Sequence, residues 1–363
     1  MAQALDYKLG PRIFPTGWFV VAESSELDKG PMALRFFGRD LALYRGESGR
    51  PVMLDAYCKH MGTHLTASDS AMIVRNGHQI EGDSIRCPYH GWRYSSEGHV
   101  DDIPYHDGPC PKSASIRSYP VVDNMGCIMM WFDEQGAEPS YSAPFLKEWD
   151  DPQWIHWELD HLGELDVHPQ EVLDNMSDMR HLEPTHGQPC LYFENEAKDH
   201  LYIQRQGGIM QLYGGVQLYT TTWYTGPGVL LSKQVWGDTV QYEMIANTPV
   251  EDGRIKAWHG CLVRGSSATP TDEDREIAKQ TQAGALEAFA TDFQIWRHKQ
   301  PALQPMALKT DGPFKIGRKW YSQFYSEPDV AAAIQAEVNG YHTIPGVDKP
   351  IDHNHDIDDG LPI

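Results

Sequence analysis

The chain has few cysteines, a deficit of positive charge and no long apolar run. Its six cysteines (Cys58, Cys87, Cys110, Cys127, Cys190 and Cys261) are spread over 363 residues. That is too sparse for the disulfide framework of a small secreted domain, and it leaves reduced thiols, some of them candidates for metal ligation. Lys and Arg number 30 against 51 Asp and Glu, a formal net charge of −21. A surface field of that sign argues against nucleic acid or an anionic membrane as partner and permits a basic protein. No segment reaches the roughly 18 consecutive apolar residues of a membrane span, and the N-terminal MAQALDYKLG lacks an apolar signal core. A cytoplasmic protein without a membrane segment is the expectation.

What is present is an ordinary globular mixture, 40% hydrophobic and 22% charged, long enough for two domains. Between Trp18 and Phe132 the apolar runs are short and strand-like (WFVVAE, PVMLDAY, GCIMMWFD) and are punctuated by Gly, Asp and Pro. They predict an all-β domain over residues 16–145, ending in a linker rich in Pro, Ser and acids near Glu134 to Pro152. From Trp154 the segments lengthen. A helical candidate at His168 to His181 is followed by alternating segments (HLYIQRQ, GIMQLYGGVQLYTTTWY, VQYEMIANT, RIKAWHGCLVRG) and a long helix from about Thr271 to Lys299. Residues 146–345 therefore read as an α+β domain with an antiparallel sheet and a long helix, and 346–363 as an acidic, disordered tail.

Two clusters carry chemistry. Cys58 and His60 stand in DAYCKHMGTHL, Cys87 and His90 in IRCPYHGWRY, each pair on a Gly-containing loop between strands. Two cysteines and two histidines suit a tetrahedral zinc or a [2Fe-2S] cluster in which imidazoles replace two thiolates on one iron. Structural zinc usually draws its Cys pair and its His pair from separate units. Here each loop supplies one of each, which favours the cluster. Gly62, Pro88 and Gly91 read as turn residues around it.

The second cluster is DNMSDMRHLEPTH. His181 and His186 are five apart, too far for one face of an unbroken helix, and Pro184 between them is expected to break it and swing His186 back. Asp178, three before His181, would share its helical face. Alone, these could be surface residues. In LEAFATDFQIWRHK, however, Asp292 is flanked at helical spacing by Ala285, Phe289, Ile295 and Trp296, and a carboxylate in such a stripe needs a metal, a cation or a proton. Glu287 and Asp274 are the rival carboxylates. Two histidines and a carboxylate with open positions form the facial triad of non-haem Fe(II).

These motifs resemble those of the Rieske non-haem iron oxygenases, and within them most closely the oxygenase component of the 3-ketosteroid 9α-hydroxylase group. The resemblance runs from about Pro15 to Tyr325 through LDAYCKHMG, CPYHGWRY, IPY, LDNMSDMRH, TDFQIWRHK and DGPFKIGRKWYSQFY. It implies that Cys58, His60, Cys87 and His90 hold a [2Fe-2S] cluster and that His181, His186 and Asp292 hold a mononuclear Fe(II). It also implies that Asp178 bridges the two centres, with Asn175 a candidate substrate contact. The 26-residue spacer from Met61 to Arg86 is longer than is usual in the family, with the excess around Asp69 to His78. That excess bears on the subunit or electron-donor interface and leaves the ligands untouched. His64, His78, His99 and His106 read as surface or structural.

The resemblance further implies a helix-grip catalytic domain and a head-to-tail homotrimer in which one subunit's cluster serves its neighbour's iron. Electrons would come from a separate NAD(P)H-dependent reductase or a ferredoxin, since the chain has no Gly-rich dinucleotide fingerprint. With O2 the expected reaction is monooxygenation of a bulky hydrophobic small molecule, steroid-like or polycyclic. Oxidative O- or N-dealkylation of an aromatic compound is the alternative, and a non-catalytic Rieske electron carrier a third.

Overall fold

The computed structural model describes residues 2–347 apart from 211–214 and 238, so the acidic tail from 348 onward lies outside the described residues. The chain divides into two compact units, Trp18–Ala143 and the remainder, with residues up to Gly17 belonging to the second.

The first unit is built from small antiparallel sheets. Cys127–Phe132, buried along its whole length, pairs with Val121–Asn124 and adjoins Gly17–Glu23. A second sheet orders Met32–Phe36, Arg39–Arg45, Pro51–Asp55 and Ser118–Tyr119, and a third orders Ile80–Glu81, Ser84–Arg86, Arg93–Tyr94 and Val100–Asp102. The long spacer contributes one helical turn, Met72–Arg75. Its surroundings leave His78, His99 and His106 exposed, while His64 is half-buried with Nδ1 accepting from Thr66 N at 3.2 Å.

In the second unit a nine-stranded antiparallel sheet runs in the order Trp154–Ile155, Arg254–Arg264, Thr239–Glu251, Val229–Trp236, Val216–Thr225, Leu201–Met210, Cys190–Lys198 and Gly340–Thr343, with Asp160–Leu165 also on Arg254–Arg264. The segment read as GIMQLYGGVQLYTTTWY is thus two strands, and the residues between them, 211–214, are outside the described set. The long helix spans Asp272–His298 and begins with a capping box in which Thr271 and Asp274 satisfy each other's backbone N–H. It packs on Arg254–Arg264 through Phe289, Phe293 and Trp296. The aromatic RKWYSQFY run forms Phe314–Ser322 and a following turn, and Trp320, Tyr321 and Tyr325 are fully buried there. The N-terminal residues close over it, with Arg12 N and Thr16 N donating to the carbonyls of Tyr325 and Phe324.

The expected helix from His168 to His181 is corrected. It is helical only over Pro169–Asp174, tightens into a single 3-10 turn at Asn175–Ser177 and is extended at Asp178 (φ −103°, ψ 96°). A new helix, Leu182–His186, follows with His181 as its N-cap. Pro184 does not break it. A proline in the first helical turn lacks only an N–H that would have had no intrahelical partner.

Candidate metal centres

The two loops of the first unit have the same backbone plan. Cys58 N donates to Thr63 O and Gly62 N to Cys58 O, both at 2.9 Å; Cys87 N donates to Trp92 O at 2.8 Å and Gly91 N to Cys87 O at 3.0 Å. Both closures need a left-handed residue, and Gly62 (φ 69°) and Gly91 (φ 76°) supply it. A side chain at Gly91 would also press on Pro104, in the IPY stretch, at 3.0 Å.

The loops set Cys58 beside Cys87, both buried, and the His60 and His90 rings 4.6 Å apart. The Cys87 thiol donates to Cys58, and with help from Tyr94 and the loop N–H groups it pulls the Cys58 pKa down to about 5, while the same contact drives Cys87 up. His60 Nδ1 is buried with no hydrogen-bond partner, as a nitrogen awaiting a metal would be, and its ring lies flat on Trp92 (4.7 Å, 3°). Paired thiolates and paired imidazoles, segregated by type, fit a cluster with one sulfur-ligated and one nitrogen-ligated iron. Tyr94, in the strand after the second loop, carries no signal in its residue type that marks it as a partner of the cluster loops. Its hydroxyl donates to Cys58 Sγ at 3.3 Å and accepts from Lys59 N at 2.9 Å. Arg86 ties the second loop down through Gly91 O (2.9 Å), Glu81 (2.6 Å) and Asp102 (2.7 Å).

In the second unit His181, His186 and Asp292 come together, one ligand atom from each lying within 4.8 Å of the others. His186 Nε2 is 3.2 Å from Asp292 Oδ2. His181 Nδ1 lies 2.6 Å from the backbone carbonyl of Asp178, and since a carbonyl only accepts, Nδ1 carries the proton and Nε2 keeps its lone pair for a metal. Burial lowers the His181 pKa against the pull of Asp292 and Asp178, so the ring stays neutral and able to ligate. The Asp178 carboxylate is 3.8 Å from His181 Nδ1, and its Oδ1 accepts from Arg180 N (2.9 Å) and His181 N (3.3 Å). Asp178 therefore does not share a helical face with His181; it lies in the extended link before it. Met179 N donates to Asp311 O at 3.0 Å, and Gly312 abuts the Ser177 carbonyl, where any Cβ would collide.

Asp292 is largely buried between Phe289 and Phe293 on its helix, but Ile295 is exposed and does not continue the stripe. Of the rival carboxylates, Glu287 is exposed and Asp274 is taken by the capping box and Ser266, where those hydrogen bonds hold its pKa far down. Asn175 is half-buried at the start of the 3-10 turn. Two imidazoles and a carboxylate converging on one point fit a non-haem ferrous site.

A β-rich Rieske unit, followed by an α+β unit with a two-histidine, one-carboxylate cluster, defines the oxygenase component of a Rieske non-haem iron monooxygenase. Residues 17–120 match the Rieske [2Fe-2S] domain and residues 130–325 the 3-Ketosteroid 9alpha-hydroxylase C-terminal domain, and the chain belongs to that family. A 3-ketosteroid-9-alpha-monooxygenase oxygenase component of Rhodococcus rhodochrous is 28% identical over 371 residues, covering 96% of this chain and 95% of the relative. The Cholesterol 7-desaturase of Caenorhabditis elegans is 27% identical, covering 87% and 78%. Among solved structures, Pseudomonas putida CBB5 NdmA with caffeine superposes with a TM-score of 0.68 at 16% identity over 92% of this chain and 97% of that one, a likeness of fold. No helix among the described residues is long and apolar enough to cross a membrane.

Proposed function

We propose that the protein is a terminal oxygenase that hydroxylates a bulky hydrophobic substrate, steroid-like or polycyclic, with O2 and electrons from a separate reductase. The observation that carries this reading is the convergence of His181, His186 and Asp292 within the region matching the 3-ketosteroid hydroxylase domain. Cys58 and Cys87 would ligate one iron of the cluster, His60 and His90 the other. His181, His186 and Asp292 would hold a ferrous ion, which would supply dioxygen activation.

The chain's own residues do the rest. The Asp178 carbonyl fixes the His181 tautomer, and the Asp292 carboxylate beside His186 would balance the metal's charge. In the head-to-tail homotrimer that the resemblance implies, Asp178 stands between His181 and His90 of the partner subunit. A cytoplasmic location fits the reduced thiols and acidic composition.

A second reading, oxidative O- or N-dealkylation, uses the same triad and is favoured by the buried amides on the sheet, which suit a heteroatom-bearing substrate. A non-catalytic electron carrier would have no use for the triad. Turnover of the purified protein with a reductase, on steroids and on methoxylated or N-alkylated aromatics, tests these readings. A hydroxylated steroid supports the first, formaldehyde the second, and turnover of neither class removes both.

A further inference from the structure

The inner face of the large sheet is polar where a steroid-type pocket would be expected to be greasy. Register places Gln206, Thr220, Gln234 and Gln241 side by side across four strands. Two residues along, Asn195, Gln204, Thr222, Ser232 and Glu243 form a second row. Two further, Tyr202, Tyr224 and Leu230 pack with Leu173, Met176 and Trp320, which shows that this face looks onto the segment leading to His181.

The face is continuous with the metal-ligand segment at two points. Asn195 Nδ2 and Gln204 Nε2 donate to Met176 O at 2.7 and 3.3 Å. Gln188, two residues after His186, lies over Gly208, whose absent side chain leaves room for it: a Cβ there would meet the Gln188 amide at 2.9 Å.

Part of this polarity is internally satisfied. Gln241 donates to Gln234 (2.7 Å), Gln234 to Glu243 (2.7 Å), and Glu243 pairs with His259 (3.0 Å), a chain that ends against Phe289 on the long helix. Four other polar atoms are not. Gln188 Nε2, Gln206 Oε1, Thr220 Oγ1 and Gln241 Oε1 are buried without a hydrogen-bond partner, on residues all less than one-tenth exposed. Unpaired buried polar atoms are costly, and four on a sheet face that is continuous with the metal-ligand segment call for a partner that arrives from outside.

Resting on the oxygenase reading above, we infer that the row Gln188, Gln206, Thr220 and Gln241 is the polar wall of the substrate pocket and that the substrate is a polyoxygenated fused-ring compound with hydroxyl or carbonyl groups along one edge. From Gln206 to Gln241 is three strand spacings, about 14 Å, a length that takes a fused-ring skeleton with oxygens on more than one ring. An amide offers a donor and an acceptor, and a threonine hydroxyl does the same, so the wall accepts either hydroxyl or carbonyl oxygens.

The test is isothermal titration calorimetry of the full, metal-loaded protein without oxygen. The probes are 5β-cholanic acid and its trihydroxylated form, cholic acid, which differ only in ring hydroxyls. Wild type binds the trihydroxylated acid about tenfold more tightly, and Thr220→Val or Gln206→Leu each remove most of that preference, as expected when one buried hydrogen-bond partner is lost. Equal or tighter binding of the bare acid, binding of neither, or a preference unchanged in both variants overturns the inference. Failure of the oxygenase reading would show separately, as protein lacking iron and acid-labile sulfide.

Discussion

His181 is oriented by the backbone of Asp178 and not by its side chain: Nδ1 is 2.6 Å from the carbonyl oxygen and 3.8 Å from the nearer carboxylate oxygen. The consequences for mutation are specific. Asp178→Asn keeps the carbonyl and a side-chain acceptor for the N–H groups of Arg180 and His181, so iron content and His181 geometry are expected to be unchanged. If the charge serves electron transfer between subunits, stopped-flow reoxidation of the reduced cluster slows by orders of magnitude. Wild-type rates would end that role for the carboxylate.

The Tyr94 hydroxyl donates a hydrogen bond to Cys58 Sγ at 3.3 Å. A donor to a ligand sulfur favours the electron-rich reduced cluster, so Tyr94→Phe is expected to lower the cluster's reduction potential while leaving its colour and stoichiometry intact. Protein-film voltammetry reads the shift, and an unchanged or raised potential would place the hydroxyl elsewhere.

Burial raises the pKa of Asp174, and Arg318 at 2.9 Å offsets that cost, tying the Pro169–Asp174 helix to Phe314–Ser322. Arg318→Met would strand a buried carboxylate and is expected to cost about 3–5 kcal/mol. Adding Asp174→Asn should recover part of it. Urea unfolding of the single and double variants measures both, and equal stability of the single variant and wild type would contradict the assignment.

His259 is fully buried between Asp160 (2.9 Å) and Glu243 (3.0 Å), with Cys261, the neutral Gln282 and Phe289 completing its surroundings. Burial pushes its pKa down, but the two carboxylates outweigh burial and raise it. A raised folded pKa means stability that is fully present below the unfolded value, about 6.5, and lost as pH rises through the folded value. The melting temperature should therefore fall as pH rises above neutrality, and His259→Gln should melt lower with that slope reduced. A variant with the wild-type slope would show that another group titrates.

The candidate ligand sets were legible in the sequence because residue type and spacing carry coordination chemistry: the His60 and His90 rings meet between the two Cys/His loops, and His181, His186 and Asp292 converge in the second unit. The path between them was not. The break at Asp178 is imposed by Asp311 and Gly312, more than a hundred residues away, and no local pattern reports it. Proline breaks a helix interior, but Pro184 stands in the first turn of Leu182–His186, where its missing N–H costs nothing. The N-terminal residues belong to the second unit through backbone bonds to Phe324 and Tyr325, which no composition signals. The alternation in YIQRQ and VQYEM looks like a strand with one wet face, whereas both faces are buried here, and the polar one looks onto the metal-ligand segment.

The central claim is that two separate metal sites share this chain, and metal and sulfide analysis of wild type beside Asp292→Ala tests it most directly. Wild type should carry about three irons and two acid-labile sulfides per chain. The variant should lose one iron, keep both sulfides and the reducible red-brown cluster, and lose turnover. Stoichiometric zinc without sulfide in wild type, or a variant that keeps its full iron and its activity, would contradict the account.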